Sequence, residues 1–166
     1  MEQYNWLQFT KRVAVKTGLP EIYKAWATQK GLESFFLRQA LFTSKEKKIR
    51  AEDEMVQPGD CYEWRWHGYP DSTVEYGEVL TANSHACLEF TFANGCIVTI
   101  TIKKEQGETI CELVQNMMPA DESMRQTLYI ECGLGWTFYL ANLKSVLEGG
   151  LDLRNKNEAI KHVINA

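Results

Sequence analysis

Between residues 38 and 118 one pattern returns six times: a stretch with apolar residues at every second position, closed by a turn signal. Alternation with a period of two sends one set of side chains to each face of a β-strand. The successive rows are Ala40 and Phe42; Tyr62, Trp64 and Trp66; Thr73 to Ala82; Leu88, Phe90 and Phe92; Val98, Ile100 and Ile102; and Cys111, Leu113, Gln115 and Met117. The punctuation between them is Lys45-Glu46-Lys47-Lys48, Pro58-Gly59-Asp60, Gly68-Tyr69-Pro70-Asp71, Asn83-Ser84, Asn94-Gly95 and Gln106-Gly107. Asn-Gly between alternating stretches is a strong hairpin signal. Gly77 suits a bulge inside its strand. Consecutive hairpins make an antiparallel sheet.

A sheet with one apolar face must be covered. After Pro119 the spacing changes to that of a helix, with Leu128, Cys132, Trp136, Leu140, Leu143 and Leu147 in step. A helix over 123–148 is roughly 39 Å long at 1.5 Å per residue. Ser123-x-x-Gln126 fits a capping box, with Asp121 a competing cap. Gly149-Gly150 stops the helix. Gly133 and Gly135 weaken its middle by up to ~1 kcal/mol each, which points to a close approach to the sheet or a kink.

Before the sheet, Leu7 to Lys16 reads as a strand carrying Phe9, Val13 and Val15. Gly18-Leu19-Pro20 then opens a helix, proline being well placed in a first turn. Ile22 and Trp26 share one of its faces. Thr28 caps a second short helix with Leu32, Phe35 and Phe36, and Gly31 separates the two. The order is one strand, two short helices, six strands and one long helix, an α+β architecture.

At 166 residues the chain amounts to about one domain. With 45% hydrophobic and 24% charged residues it can build a core, which excludes a disordered chain. A net charge of −4 argues against a nucleic-acid or anionic-membrane role. No basic segment followed by an apolar stretch opens the chain, and no apolar run approaches the ~20 residues of a membrane span. The five cysteines, Cys61, Cys87, Cys96, Cys111 and Cys132, include no Cys-x-x-Cys pair and read as buried thiols in a reducing cytoplasm. His67, His85 and His162 are far apart. Neither a metal nor a cofactor is expected.

The early segment PEIYKAWATQKGLESFF and the late segment GWTFYLANLKSVLEGG carry a family resemblance. The element order resembles the START-like, or Bet v 1-like (SRPBCC), helix-grip fold. Within that fold the chain is similar to the branch of activator of Hsp90 ATPase homologues (AHSA1-like). Gly135, Trp136, Leu140, Leu143 and Lys144 match the Gly-Trp and Leu-x-x-Leu-Lys pattern of that branch's terminal helix, while Phe35-Phe36 stands where the branch often has Trp-Phe. The resemblance implies a curved sheet of about seven strands gripping the long helix, over residues 1–150. Hsp90 activators stimulate the ATPase largely through a separate N-terminal domain for which this chain has no room, so direct Hsp90 activation is not expected. The tail, 151–166, is expected to hold a short helix capped by Asn157, with Ile160, Val163 and Ile164 on one side, packed on the domain or on a second copy.

Helix-grip domains resemble one another in holding a cavity between sheet and helix. Alternation nominates Tyr62, Trp64, Trp66, Phe90, Phe92, Leu113, Gln115 and Met117 as its sheet wall, and Trp136, Tyr139 and Leu143 as its helix wall. Such a cavity suits a lipid, sterol, polyketide or other aromatic-bearing ligand. The same aromatic row is equally what a plain core needs, and a slip of one residue would invert the face. Gln115 is the polar member of an apolar row and, if buried, needs a hydrogen-bond partner or a ligand. Glu63, Arg65 and His67 fall on the opposite face, and Glu89 and Glu112 are further strand carboxylates, read as solvating the sheet. Three readings stay open. The first is an apolar-ligand binder. The second is a co-chaperone-like module that holds a chaperone or client protein. The third is an enzyme of cyclase or dehydratase type with no assigned catalytic residue. Trp6 and the tail offer apolar surface for a homodimer.

Overall fold

The computed structural model describes residues 4–119, 121–160, 163 and 164. Strand β1 (Gln8–Ala14) leads into helices α1 (Leu19–Ala27) and α2 (Gln29–Phe35). Six strands follow: β2 (Gln39–Thr43), β3 (Cys61–Arg65), β4 (Glu75–Ala82), β5 (Cys87–Phe92), β6 (Cys96–Glu105) and β7 (Glu108–Asn116). Helix α3 (Glu122–Leu147) ends the domain. All pairings are antiparallel, in the order β1-β7-β6-β5-β4-β3-β2. The sheet is curved, and α3 lies across its apolar face.

The turns follow their chemistry. Asn94 and Gly95 stand at φ 62° and 80°, and Gln106 and Gly107 at 51° and 84°. Ala93, at 46°, precedes Asn94, so three left-handed residues join Phe92 to Cys96, while Gln106-Gly107 is a two-residue turn whose positive φ values match the twist of its strands. Asn83 Oδ1 accepts from the backbone N–H groups of His85, Ala86 and Cys87, which closes the β4–β5 turn.

Four local expectations change. The register shift in β4 falls between Val79 and Thr81 rather than at Gly77. Gly77 instead lies under the Tyr62 ring, its partner across the pair, where a Cβ would collide with the ring and hydroxyl. Gly31 lies inside α2 and does not separate the helices. A Cβ there would strike the backbone of Lys24 and Ala25 in α1, so glycine lets the two helices touch. The break comes at Thr28, extended at φ −133°, whose hydroxyl accepts from Gly31 N–H at 3.0 Å. At α3 Asp121 is the cap and accepts from Met124 N–H at 2.7 Å, so the helix starts at Glu122. Gly133 makes no close approach: a Cβ there would meet Lys11 Cε at 3.9 Å, an ordinary contact.

The tail departs further. Residues 151–160 hold no helix. Asn157 Oδ1 does accept from Ala159 N–H at 3.1 Å, but the turn it starts does not propagate. Residues 161, 162, 165 and 166, His162 among them, lie outside the described residues. The tail's anchor is Arg154, 6% exposed. Its guanidinium donates to the carbonyls of Glu33 and Leu37 at 2.9 Å each, at the C-terminal end of α2. It also grips both carboxylate oxygens of Asp152, at 2.9 and 2.7 Å. Buried Asn142 of α3 completes the joint. It donates to Phe35 O at 2.7 Å and Asp152 at 3.0 Å, and accepts from Leu153 N–H. Carbonyls left open at the end of a helix need donors, and a forked cation with five N–H groups serves several at once.

Candidate functional site

The inward aromatic row changes character along its length. Tyr62 and Trp64 of β3 are each 2% exposed, with rings stacked at 3.8 Å. Trp64 meets Phe90 edge-on at 5.2 Å, and the Tyr62 hydroxyl donates to Thr91 O. Two residues further along, Trp66 has left the strand and Phe92 is the last residue of β5; both are half-buried. Here the sheet and α3 part, and a cleft of about 660 Å³ opens between them.

Phe36, Trp66, Phe92 and Trp136 form a closed circuit of ring contacts at 5.8, 6.3, 5.2 and 4.9 Å. Tyr139 joins Phe36 edge-on at 4.7 Å. Leu128, Cys132, Leu134 and Gly135 line the α3 side, and Tyr69, Thr73, Glu75 and Ala93 the strand-end side. Tyr69 and Leu134, 50% and 70% exposed, mark the mouth.

Of the residues nominated from sequence, Trp66, Phe92, Trp136 and Tyr139 line this cleft. Tyr62, Trp64, Phe90, Leu113, Gln115, Met117 and Leu143 lie in the buried core, and none of them lines it. Gln115 finds half of what it needs: its Oε1 accepts from Trp136 Nε1 at 2.6 Å. That bond fixes the indole that forms the cleft wall. Its Nε2 lies by the Cys132 thiol, a weak acceptor, without a hydrogen bond of ordinary geometry.

Glu75 opens β4 in phase with Val79, on the inward face. Burial pushes its carboxyl above the usual range, partly offset by the hydrogen bond from Ala93 N–H at 2.7 Å. Among the described residues no cation pairs with it. Burial raises the Cys132 thiol to about 11, so it stays protonated at neutral pH and is a poor nucleophile. Burial likewise raises the Tyr139 phenol, which remains neutral. The cleft thus offers aromatic walls and one desolvated carboxylate, with a thiol and a phenol as neutral polar groups. Among the described residues no three His, Cys, Asp or Glu gather to hold a metal ion.

The carboxylates singled out in the strands serve elsewhere. Glu112 pairs with Arg12 at 2.9 Å and Lys103 at 3.2 Å, and Glu89 accepts from Thr99 at 2.9 Å. Glu63 and Arg65 face a polar recess on the outer side, shared with Arg38 and Asp71. Reading the sequence missed Phe36, Tyr69, Cys132 and Glu75 as cleft residues. For Glu75 a signal existed: a carboxylate at the inward phase of a strand.

The described residues include no helix long and apolar enough to cross a membrane. No curated protein matches the chain. Solved structures share the fold at low identity. A protein SSP2350 from Staphylococcus saprophyticus is 15% identical at a TM-score of 0.66, with 89% of this chain and 96% of that one covered. The Aha1 dimer from Colwellia psychrerythraea, solved in solution, is 16% identical at 0.64, with 87% and 98% covered. DynU16, a putative protein in the dynemicin biosynthetic locus, is 17% identical at 0.65, with 90% of this chain and 50% of that one covered. The profile of the Activator of Hsp90 ATPase homolog 1-like protein family matches residues 16–148, and the chain belongs to that family.

Proposed function

We propose that the protein binds a small apolar, aromatic-bearing molecule in the cleft between the strand ends and α3. The observation that carries this reading is the cleft itself. At about 660 Å³ and walled by six aromatic side chains, it has the size and lining of a small-molecule site. The wall is prepared before binding, since the Gln115–Trp136 hydrogen bond and the ring circuit hold the indole in place. Five unpaired cysteines suit a reducing compartment, and we place the protein in the cytoplasm.

The test is native mass spectrometry of the purified protein, with bound material extracted and identified. A stoichiometric apolar molecule is expected. An empty protein that shows no thermal shift with lipids, sterols or aromatic polyketides overturns the reading.

A second reading, an interaction module that self-associates or holds a chaperone or client, draws on exposed apolar side chains at Leu7, Met118, Ile130 and Leu134. The Colwellia relative is a dimer. Trp6 itself is half-buried against Tyr129 of α3, with ring centroids 5.2 Å apart, so it contributes less free surface than its position suggests. The same native spectrum reports the oligomeric state, and a monomer at micromolar concentration argues against self-association.

A further inference from the structure

We infer that the cleft selects a cationic ligand, an apolar amine or quaternary ammonium whose charge sits between Glu75 and the aromatic wall; this rests on the cleft being the binding site. The ionisable side chains that line it are Glu75, Glu131, Cys132, Tyr69 and Tyr139, and no lysine, arginine or histidine is among them. The thiol and the buried phenol are neutral at pH 7. The charge presented to a ligand is therefore negative.

Glu75 is an unusual group for such a place. It is half-buried among apolar side chains, holds one backbone hydrogen bond and lacks a cation. A desolvated carboxylate beside an empty volume is a standing electrostatic cost that a cationic guest removes. The walls have the matching chemistry. Indole, phenol and phenyl faces attract a cation through their quadrupole, tryptophan most strongly. Phe36, Trp66, Phe92 and Trp136 form their ring circuit at the same cleft that Glu75 lines. Two guanidiniums outside the lining bear on cleft residues, and both are paired: Arg154, which acts on Tyr139, with Asp152, and Arg38, which donates to Trp66 O, with Asp71. An anionic ligand, such as a free fatty acid, would meet Glu75 with nothing to offset it.

The experiment compares two molecules of one shape, benzyltrimethylammonium and its carbon analogue neopentylbenzene, by titration against wild type and Glu75→Gln. Glutamine keeps an oxygen to accept from Ala93 N–H, so the fold should hold; circular dichroism checks it. Glu78→Gln, exposed on the outer face of the same strand and outside the cleft lining, is a second variant that cannot disturb the core. The wild type should prefer the ammonium by about tenfold. The preference should shrink to less than about threefold in Glu75→Gln and change little in Glu78→Gln. Equal or tighter binding of neopentylbenzene by wild type overturns this inference and leaves the cleft reading standing. A preference that survives Glu75→Gln removes Glu75 from the site. Failure of benzyltrimethylammonium to bind at millimolar concentration overturns the cation inference, while extraction of a neutral native ligand would still uphold the cleft.

Discussion

The inward face of the sheet has two ends, built from the same kinds of residue, and only one is closed. At the closed end Tyr62 stacks on Trp64 and Phe90 meets Trp64 edge-on, all three buried. At the open end Trp66, Phe92, Trp136 and Tyr139 face a volume that no side chain fills. What separates the ends is cover, not composition. Around Tyr62, Trp64 and Phe90 the core is filled, whereas Phe36, α3 from Leu128 to Tyr139 and the loop carrying Tyr69 stand around the cleft without filling it. Aromatic rings become core where a further layer is supplied and a binding wall where it is not.

The largest effect should come from cutting the row on either side of that boundary. Trp64→Ala removes a fully buried indole and should cost about 4 kcal/mol. Trp66→Ala should cost about 1–2 kcal/mol, because half of that ring already faces the cleft. Its greater consequence should be lost ligand affinity. Urea unfolding of both variants measures the contrast, and equal losses would erase the boundary.

Arg154→Ala comes next. It strips donors from two α2 carbonyls and leaves Asp152 without its forked partner, at about 3 kcal/mol. At ~2–4 °C per kcal/mol for a chain of this size, the melting midpoint should fall by roughly 6–12 °C. Hydrogen exchange at the end of α2 should rise with it. An unchanged midpoint would mean that Arg154 is not what anchors the tail.

Gly77→Ala should cost about 1–3 kcal/mol by overpacking the Tyr62 ring, with the cleft unaffected. Glycine at 31 is under the same constraint against α1.

The smallest effect is one of pH, and it belongs to the joint of the tail. Asp152 is held well below the usual carboxylate range: burial alone raises it, but hydrogen bonds from Arg154, Lys156 and Asn142 outweigh that. His67 is lowered by burial first, then by Arg154, Lys156 and Arg38. Both groups bind protons less readily folded than unfolded, so each favours folding above its unfolded pKa, about 6.5 for histidine and 3.9 for aspartate. That contribution is lost as pH falls through the lowered folded values. Between pH 7 and 5 the His67 part should lower the melting midpoint slightly, and His67→Gln should flatten the slope. Glu75 has the opposite sign. Its raised pKa favours folding in acid and is lost as pH rises, so Glu75→Gln should gain slightly at pH 8.

Much of this molecule is legible in the chain. The phase of the rows in β3, β5, β6 and β7 survives: Tyr62 and Trp64, Leu88 and Phe90, Val98 and Ile100, Cys111 and Leu113 all point inward. Alternation is a local steric property, so it can be read without knowing the neighbours. Thr28, Asp121 and the two glycine hairpins work for the same reason, since caps and turns are decided within a few residues. The cleft was legible only in part. Trp66, Phe92, Trp136 and Tyr139 were within reach because they continue rows already identified, whereas Phe36 and Tyr69 arrive from a helix end and a loop.

The sequence by itself determined the order of elements, the face each strand turns inward and the family to which the chain belongs. Only the tertiary structure decided where the inner face runs out of cover, that Gly31 serves a contact between helices, and that Arg154 is buried in the joint of the tail. Each of these depends on what sits on the far side of a residue, and that is set by segments as distant as Glu33 and Arg154. Periodicity tells a side chain which way to point; whether it meets atoms or space there is a property of the assembled layers.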